Sequence, residues 1–426
     1  MRISILDGRV IDPAQAIDQV QNIYVADGRI LALGKAPAGF GADREIDAKG
    51  QIVCPGLVDL CARLREPGLE HKATIASETA AAASAGITTL CCPPDTDPVI
   101  DNPAVAELIH QRAEQAGKAR VLTLGALTKG LAGTQLSEMI ALKEEGCVGL
   151  SNGLQPVSNA QVLRRAMEYA ATHKLTIFLH AEDVFLRNRG CAHEGVVSTR
   201  LGLPGIPETA ETAAVARDLV LIAQTGVRAH FCHLSSARAV EMITHAQHDG
   251  LPVSADVAAH QLFLTEMDIS DFNSDCHVLP PLRSLRDRDG LRKAVAEGSV
   301  SAICSDHQPH EPDAKRAPFM STEPGISALE TLLPLTLRLV DEGVLSLSNA
   351  LARLSSGPAH ILGKDIGSLA VGRQADICIY DPAHVWTLTR EQLHSRGKNT
   401  PFAGWEFKGR VTHTLLGGKL VYELGK

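Results

Sequence analysis

A (β/α)₈ barrel carrying a small β-domain made from both chain ends is the fold class this sequence predicts. Three observations carry that reading. Eight short apolar, strand-like stretches alternate with helical ones through the middle of the chain. Both ends repeat a texture of short strands and Gly-containing turns. A length of 426 residues suits one barrel plus a small second unit. The expected division is 1–55 with 361–426 for the β-domain and 56–360 for the barrel.

Taken in order, residues 1–55 read as strands joined by turns. Segment 2–6 meets Asp7-Gly8 and segment 22–25 meets Asp27-Gly28, each followed by a further apolar run, which is a hairpin pattern. At the far end, 375–380 and 410–416 are strand-like, and Gly417-Gly418 turns the latter into 419–422. Neither piece is large enough to bury a core alone, so the two are expected to share one. Barrel strand candidates lie at 58–64, 87–93, 120–127, 147–151, 176–182, 228–235, 252–257 and 301–307. Helical stretches at 72–85, 103–116, 159–173, 208–224, 237–248 and 327–339 fill most gaps. The long interval 258–286 holds Pro280-Pro281 and is expected to be a loop over the barrel mouth.

Composition narrows the function classes. A net charge of −8 without a basic cluster argues against nucleic acid as a partner. Ten cysteines are scattered with no C-x-x-C, so buried reduced thiols and a cytoplasmic setting are expected. The opening MRISILDGRVID reads as strand and turn rather than a signal peptide. No apolar run approaches the ~20 residues that span a bilayer, so no membrane role is expected.

Chemistry in such a barrel gathers at the C-terminal ends of the strands. The fifth candidate ends LHAED with His180, the sixth CHLSS with His233, and the eighth SDHQPH with Asp306, His307 and His310. A lone histidine is more often structural, but metal-type residues at three strand ends point to a metal site. The first strand, in VCPGLVDLCARLREPG, sends residues 61 and 63 to one face. Cys61 is a zinc ligand as a thiolate. Arg63 offers no acceptor and stays charged. A +1 charge roughly 4 Å from a +2 ion opposes it by about 8 kcal/mol at an effective dielectric near 20, as an upper figure. Arg63 therefore reads as a strand-end arginine paired with a carboxylate.

These residues carry a resemblance to the amidohydrolase superfamily, in its dihydroorotase and allantoinase branch. The family's first strand reads PGxxDxHxHxRxPG, and this chain keeps Pro55-Gly56, Asp59, Arg65 and Pro67-Gly68 but has Cys61 and Arg63 at the two zinc-binding histidines. By the resemblance His180 and His233 fall at the second metal's ligand positions, and Asp306 at the general base. Ser151-Asn152-Gly153-Leu154-Gln155-Pro156-Val157 is similar to the family's SDDGxPV with both acids gone. Pro93-Pro94-Asp95-Thr96 is similar to MPNT, with an anion at 95 that is expected to repel a substrate carboxylate. Leu279-Pro280-Pro281-Leu282-Arg283 is similar to NPPLR, and 325–331 to GIxxLET. Arg65 and His310 survive at two further substrate-contact positions.

The resemblance covers nearly the whole chain and implies a degenerate member: no working catalytic residues, and no cofactor beyond at most one weakly bound zinc on His180, His233 and Asp306. Asp306 is then a vestigial base, and Arg65, Asp95 and His310 a vestigial substrate pocket. Some members of this family accompany aspartate transcarbamoylase (aspartate carbamoyltransferase) as non-catalytic subunits. That implies a partner, the transcarbamoylase catalytic chain, in a hetero-oligomer of dodecameric form with self-association, serving pyrimidine biosynthesis. Two readings stay beside it. One is a working cyclic amidohydrolase of dihydroorotase, hydantoinase or allantoinase type with an atypical single-metal site. The other is a sensor that holds a pyrimidine intermediate in the old pocket.

Overall fold

The computed structural model describes residues 1–425. Eight parallel strands lie side by side in chain order: Leu57–Asp59, Ile87–Cys92, Arg120–Ala126, Gly149–Ser151, Ile177–Leu179, Ala229–Phe231, Val253–Ala258 and Ala302–Cys304. Nearly every residue in them is buried, as expected of parallel strands covered on both faces. The ring closes just beyond the regular strands. Arg63 N–H donates to the His307 carbonyl at 2.9 Å and His307 N–H donates to the Cys61 carbonyl at 3.1 Å. Asp59 pins the same seam by accepting from the Ser305 amide at 2.8 Å and from the Ser305 hydroxyl.

Helices Ile75–Ser84, Pro103–Ala116, Ala160–Thr172, Glu208–Thr225, Ala237–His248 and Leu329–Asp341 occupy the expected gaps. Their ends follow local chemistry. Asn102 caps the second of them by accepting from the Ala104 amide, Pro103 opens its first turn, and Gly117 closes it with left-handed backbone. The sequence reading omits Met139–Glu144, Leu285–Glu297 and Leu347–Leu354. In LRDRDGLRKAVAE only Asp287, Leu291, Ala294 and Val295 are buried, so the apolar stripe is too thin to stand out among the charges.

The two chain ends meet in one sheet. Ile52–Pro55 pairs antiparallel with Ile377–Thr387, which pairs with Glu406–Leu416, and that in turn with Lys419–Glu423. A second sheet of four strands, Arg29–Leu33, Ile23–Ala26, Ile3–Leu6 and Arg44–Asp47, packs with it around Ile3, Ile5, Val25, Ile377 and Leu415. Asp27-Gly28 and Gly417-Gly418 do turn hairpins. Asp7-Gly8 does not: Ile3–Leu6 and Arg9–Asp12 lie in different sheets, so this turn carries the chain from one to the other. The interval 258–286 is not a plain loop but holds three short 3₁₀ turns, Ala259–Leu262, Glu266–Ile269 and Ser274–Cys276. No helix among the described residues is long and apolar enough to cross a membrane.

Barrel and β-domain touch where the chain enters the second barrel strand. Gly86 sits at φ +80, and a Cβ there would lie 2.4 Å from Cys378 Sγ of the composite sheet. We expect Gly86→Ala to cost about 2–4 kcal/mol, combining left-handed strain with overpacking. Chemical denaturation should show a lower midpoint at unchanged slope; an unchanged midpoint would mean the two units are not coupled through this contact.

Candidate active site

Regular strand pairing stops before each residue of interest, so the site is built from the first residues past the strand ends. His233 and Asp306 both take left-handed backbone, φ 40 and φ 46, which non-glycine residues adopt at a cost of about 1–3 kcal/mol. His233 is held there by its amide, which donates to Asp256 Oδ1 at 2.5 Å. Asp256 also takes His230 Nε2 at 2.8 Å.

Arg63 crosses the middle of the constellation. Its Nε donates to Asp95 Oδ2 at 2.7 Å, and its Nη1 donates to Asp306 Oδ1 at 3.0 Å and lies 3.7 Å from Cys61 Sγ. Only 4 % of the Arg63 side chain and 2 % of that of Asp306 is exposed, so this is an interior ion pair. Burial by itself lowers a guanidinium's pKa, but the Asp95 and Asp306 carboxylates outweigh it and hold Arg63 more firmly charged than a free arginine. Gln308 Nε2 faces both Asp306 oxygens at 3.3 Å. The anion at 95, expected from the sequence to repel a substrate carboxylate, is here paired with Arg63.

The position of the missing second acid lies beside Asp95. Gly153 stands there at φ +57, and a Cβ built on it would lie 3.4–3.5 Å from the Asp95 side chain. Asn152 is drawn away into its own loop, accepting from Thr128 Oγ1 at 2.8 Å and donating to the carbonyls of Leu131 and Gln155. Neither residue offers an acid to the centre.

The two surviving histidines engage each other. His180 Nδ1 and His233 Nε2 share a hydrogen bond of 3.0 Å, while Glu182, itself paired with Arg187, faces His180 Nε2 at 3.4 Å. Burial and the neighbouring His180 push His233 well below the usual imidazole range, so it is neutral. His233 Nδ1 has no hydrogen-bond partner among the described residues. His307, by contrast, is structural: Nδ1 accepts from the Ala328 amide at 3.0 Å and Nε2 meets Glu78 at 2.8 Å.

Arg65 and His310 form a separate basic corner. Arg65 Nη2 lies 3.1 Å from His310 Nε2, and Lys72 Nζ lies 3.2 Å from His310 Nδ1. Burial first, then the Arg65 and Lys72 charges, pull His310 down to about 2, and burial with Arg63 brings Arg65 to about 10. A segment of the C-terminal region is tied to it, with Asn399 accepting from the His310 amide at 2.9 Å and donating to the Gln308 carbonyl, while Arg65 and Lys72 stay half-buried.

Sequence reasoning names Cys61, Arg63, Arg65, Asp95, His180, His233, Asp306 and His310, and the structure places them all at this end of the barrel. It misses Gln308, Lys72 and His260. Gln308 is visible inside SDHQPH; Lys72 carries no signal. His260, buried and driven to about 4 by desolvation, sits in the interval read as loop.

Metal-type donors do gather, though not in the expected set. Cys61, His233 and Asp306 each offer an atom within 4.8 Å of the others, and His180 is not among them. The residues present do not fit the two-zinc centre that this fold hosts in the resembling family. The guanidinium of Arg63 stands among the donors, and burial and Asp306 push the Cys61 thiol well above its usual pKa, keeping its proton on.

The parallel barrel, the terminal β-domain and this set of strand-end residues define an amidohydrolase-type protein. A dihydro-orotase-like family model matches residues 50–239 and an amidohydrolase family model matches residues 325–422. A dihydroorotase-like protein of Pseudomonas aeruginosa is 53% identical over 99% of this chain and 100% of its own length. A dihydroorotase of Syntrophotalea carbinolica is 45% identical over the whole of both chains. An L-hydantoinase (dihydropyrimidinase) from Arthrobacter aurescens superposes with a TM-score of 0.89 at 25% identity, over 100% of this chain and 96% of its own. The chain belongs to the dihydroorotase-like family of amidohydrolases.

Arg63→Met leaves Asp306 buried without its cation, and a loss of about 3–5 kcal/mol is expected. Adding Asp95→Asn should recover part of it, since the two charges are coupled. Strictly additive losses in chemical denaturation would count against the pairing.

Proposed function

We propose that this chain is a dihydroorotase homologue without catalytic activity, serving as a non-catalytic subunit that aspartate transcarbamoylase needs for assembly or activity. The observation that carries the first half is Arg63 bound to Asp306 and Asp95 at the centre of the strand-end site. Hydrolysis of a cyclic amide by this family needs a metal-acidified water, a polarised carbonyl and a base free to accept a proton. Here the base position is ion-paired, the thiol at 61 keeps its proton, and position 153 has no side chain. Near-complete burial of Arg63, His233, Asp306 and His310 adds to the argument. The second half rests on the family resemblance: a barrel that has given up its chemistry still offers a coherent surface, and association requires only that.

Dihydroorotase activity should be undetectable in the purified chain. Cys61→His with Arg63→His should not restore it, because an acid at 153 and a neutral residue at 95 are still missing, and groups that act as a unit recover little when repaired in part. Turnover by the double variant, assayed with dihydroorotate, would sink this expectation.

Co-expression with an aspartate transcarbamoylase catalytic chain should give a stable hetero-oligomer, burying at least ~1,200 Å² at each contact. Size exclusion with light scattering tests it. Separate elution at micromolar concentration, together with a fully active transcarbamoylase alone, would overturn the subunit reading.

One observation favours a second reading. The gathering of Cys61, His233 and Asp306, with relatives named dihydroorotase, suits a cyclic amidohydrolase with one metal. Elemental analysis separates the two: tightly held zinc at one ion per chain would favour the enzyme.

A further inference from the structure

We propose that the guanidinium of Arg63 is the built-in occupant of a mononuclear S/N/O metal position formed by Cys61, His233 and Asp306, and that it is the group that keeps a divalent cation out. This rests on the reading that the native chain runs no metal-dependent hydrolysis. The three donors come from the ends of the first, sixth and eighth strands, with atoms all within 4.8 Å of one another. Donors around a tetrahedral ion with bonds of 2.0–2.3 Å sit about 3.3–3.8 Å apart, so closing the set takes roughly 1 Å of side-chain movement. One further observation points to a cation at this spot. Arg63 Nη1 already sits there, 3.0 Å from Asp306 Oδ1 and 3.7 Å from Cys61 Sγ.

The set is also mixed in origin. It takes Cys61 from the position of one ligand pair of the resembling family, His233 from the other, and Asp306 from the base. It is therefore a new arrangement rather than a remnant of either half. Removing the guanidinium leaves one carboxylate, one neutral imidazole and one thiol. Such a set binds a borderline-soft divalent ion once the thiol proton leaves to solvent.

Cobalt(II) alone is the probe, added to chelator-treated full-length chain, with absorbance, bound-metal content and thermal unfolding as readouts. The native chain should take up no stoichiometric cobalt, show no thiolate-to-cobalt charge-transfer band, and unfold at an unchanged temperature. Arg63→Met should bind one ion per chain, show the band, and unfold at a higher temperature with cobalt than without. Arg63→Lys, which keeps the charge, should behave as native. Cys61→Ser on the Arg63→Met background should lose the band and bind at least tenfold more weakly. If Arg63→Met does not fold, Arg63→Met with Asp95→Asn removes one charge of each sign and takes its place. Stoichiometric cobalt on the native chain overturns this proposal and the non-catalytic reading together. Failure of the Arg63→Met variants to gain metal over native, or equal uptake by Arg63→Lys, overturns this proposal alone.

Discussion

Closure of the barrel between its first and last strands is the constraint on which the rest depends. Two main-chain hydrogen bonds, Arg63 to His307 and His307 to Cys61, join segments far apart in sequence, and Asp59 locks Ser305 beside them. A parallel sheet of eight short strands has no stability as an open edge, and closing it removes that edge. The same bonds fix where the side chains fall. With the seam in this register, Arg63 and Asp306 come side by side on neighbouring strand ends. Burial pushes the Asp59 carboxyl up to about 7 even with its hydrogen bonds, so the lock carries its own electrostatic cost.

Much of this was legible in the sequence because parallel strands write themselves plainly. ITTLCC and VSADVA are short, apolar and bounded by turns, and the order of eight such runs leaves little topological freedom. Cys61 and Arg63 were readable as neighbours from spacing alone. Pairing with a carboxylate was readable for Arg63 from its chemistry, but which carboxylate was not. Asp95 and Asp306 are 32 and 243 residues away, and only the closed ring brings both within reach of one guanidinium. Helix Leu285–Glu297 was hidden by its charge, and the Asp7-Gly8 turn misled because sheet exchange and hairpin reversal use the same residues. By the resemblance His180 falls at a vestigial metal-ligand position; in the folded chain its Nδ1 shares a hydrogen bond with His233 Nε2, a relation no local pattern encodes.

The replacements at the mouth are better understood as a set than as separate losses. Random decay of a metal site would leave buried acids without a cation, each costing several kcal/mol. On the non-catalytic reading proposed above, the charge of Arg63 between two carboxylates takes the place of a metal's. Asp95 puts an acid where the resembling family has a neutral amide, and Gly153, at φ +57, lies beside it with no side chain of its own. Gln308 caps the remaining side of Asp306. Three positions in three strand-end segments therefore depend on each other: Arg63 without Asp95 or Asp306 is under-neutralised, and either acid without Arg63 loses its cation.

That interdependence bears on what the site is for. Buried ion pairs of this kind seldom add net stability over an apolar core, because desolvation of the charges consumes most of the attraction between them. What they supply is a fixed arrangement, since three charged groups linked at 2.7 and 3.0 Å tolerate few alternatives. A barrel used as an enzyme needs its mouth open to substrate and its base free. A barrel used as a rigid part of an assembly needs the opposite, a mouth that holds one shape without a cofactor to organise it. On the proposed non-catalytic reading, Arg63 suits the second requirement, because it engages the base position and holds the strand-end groups in one arrangement.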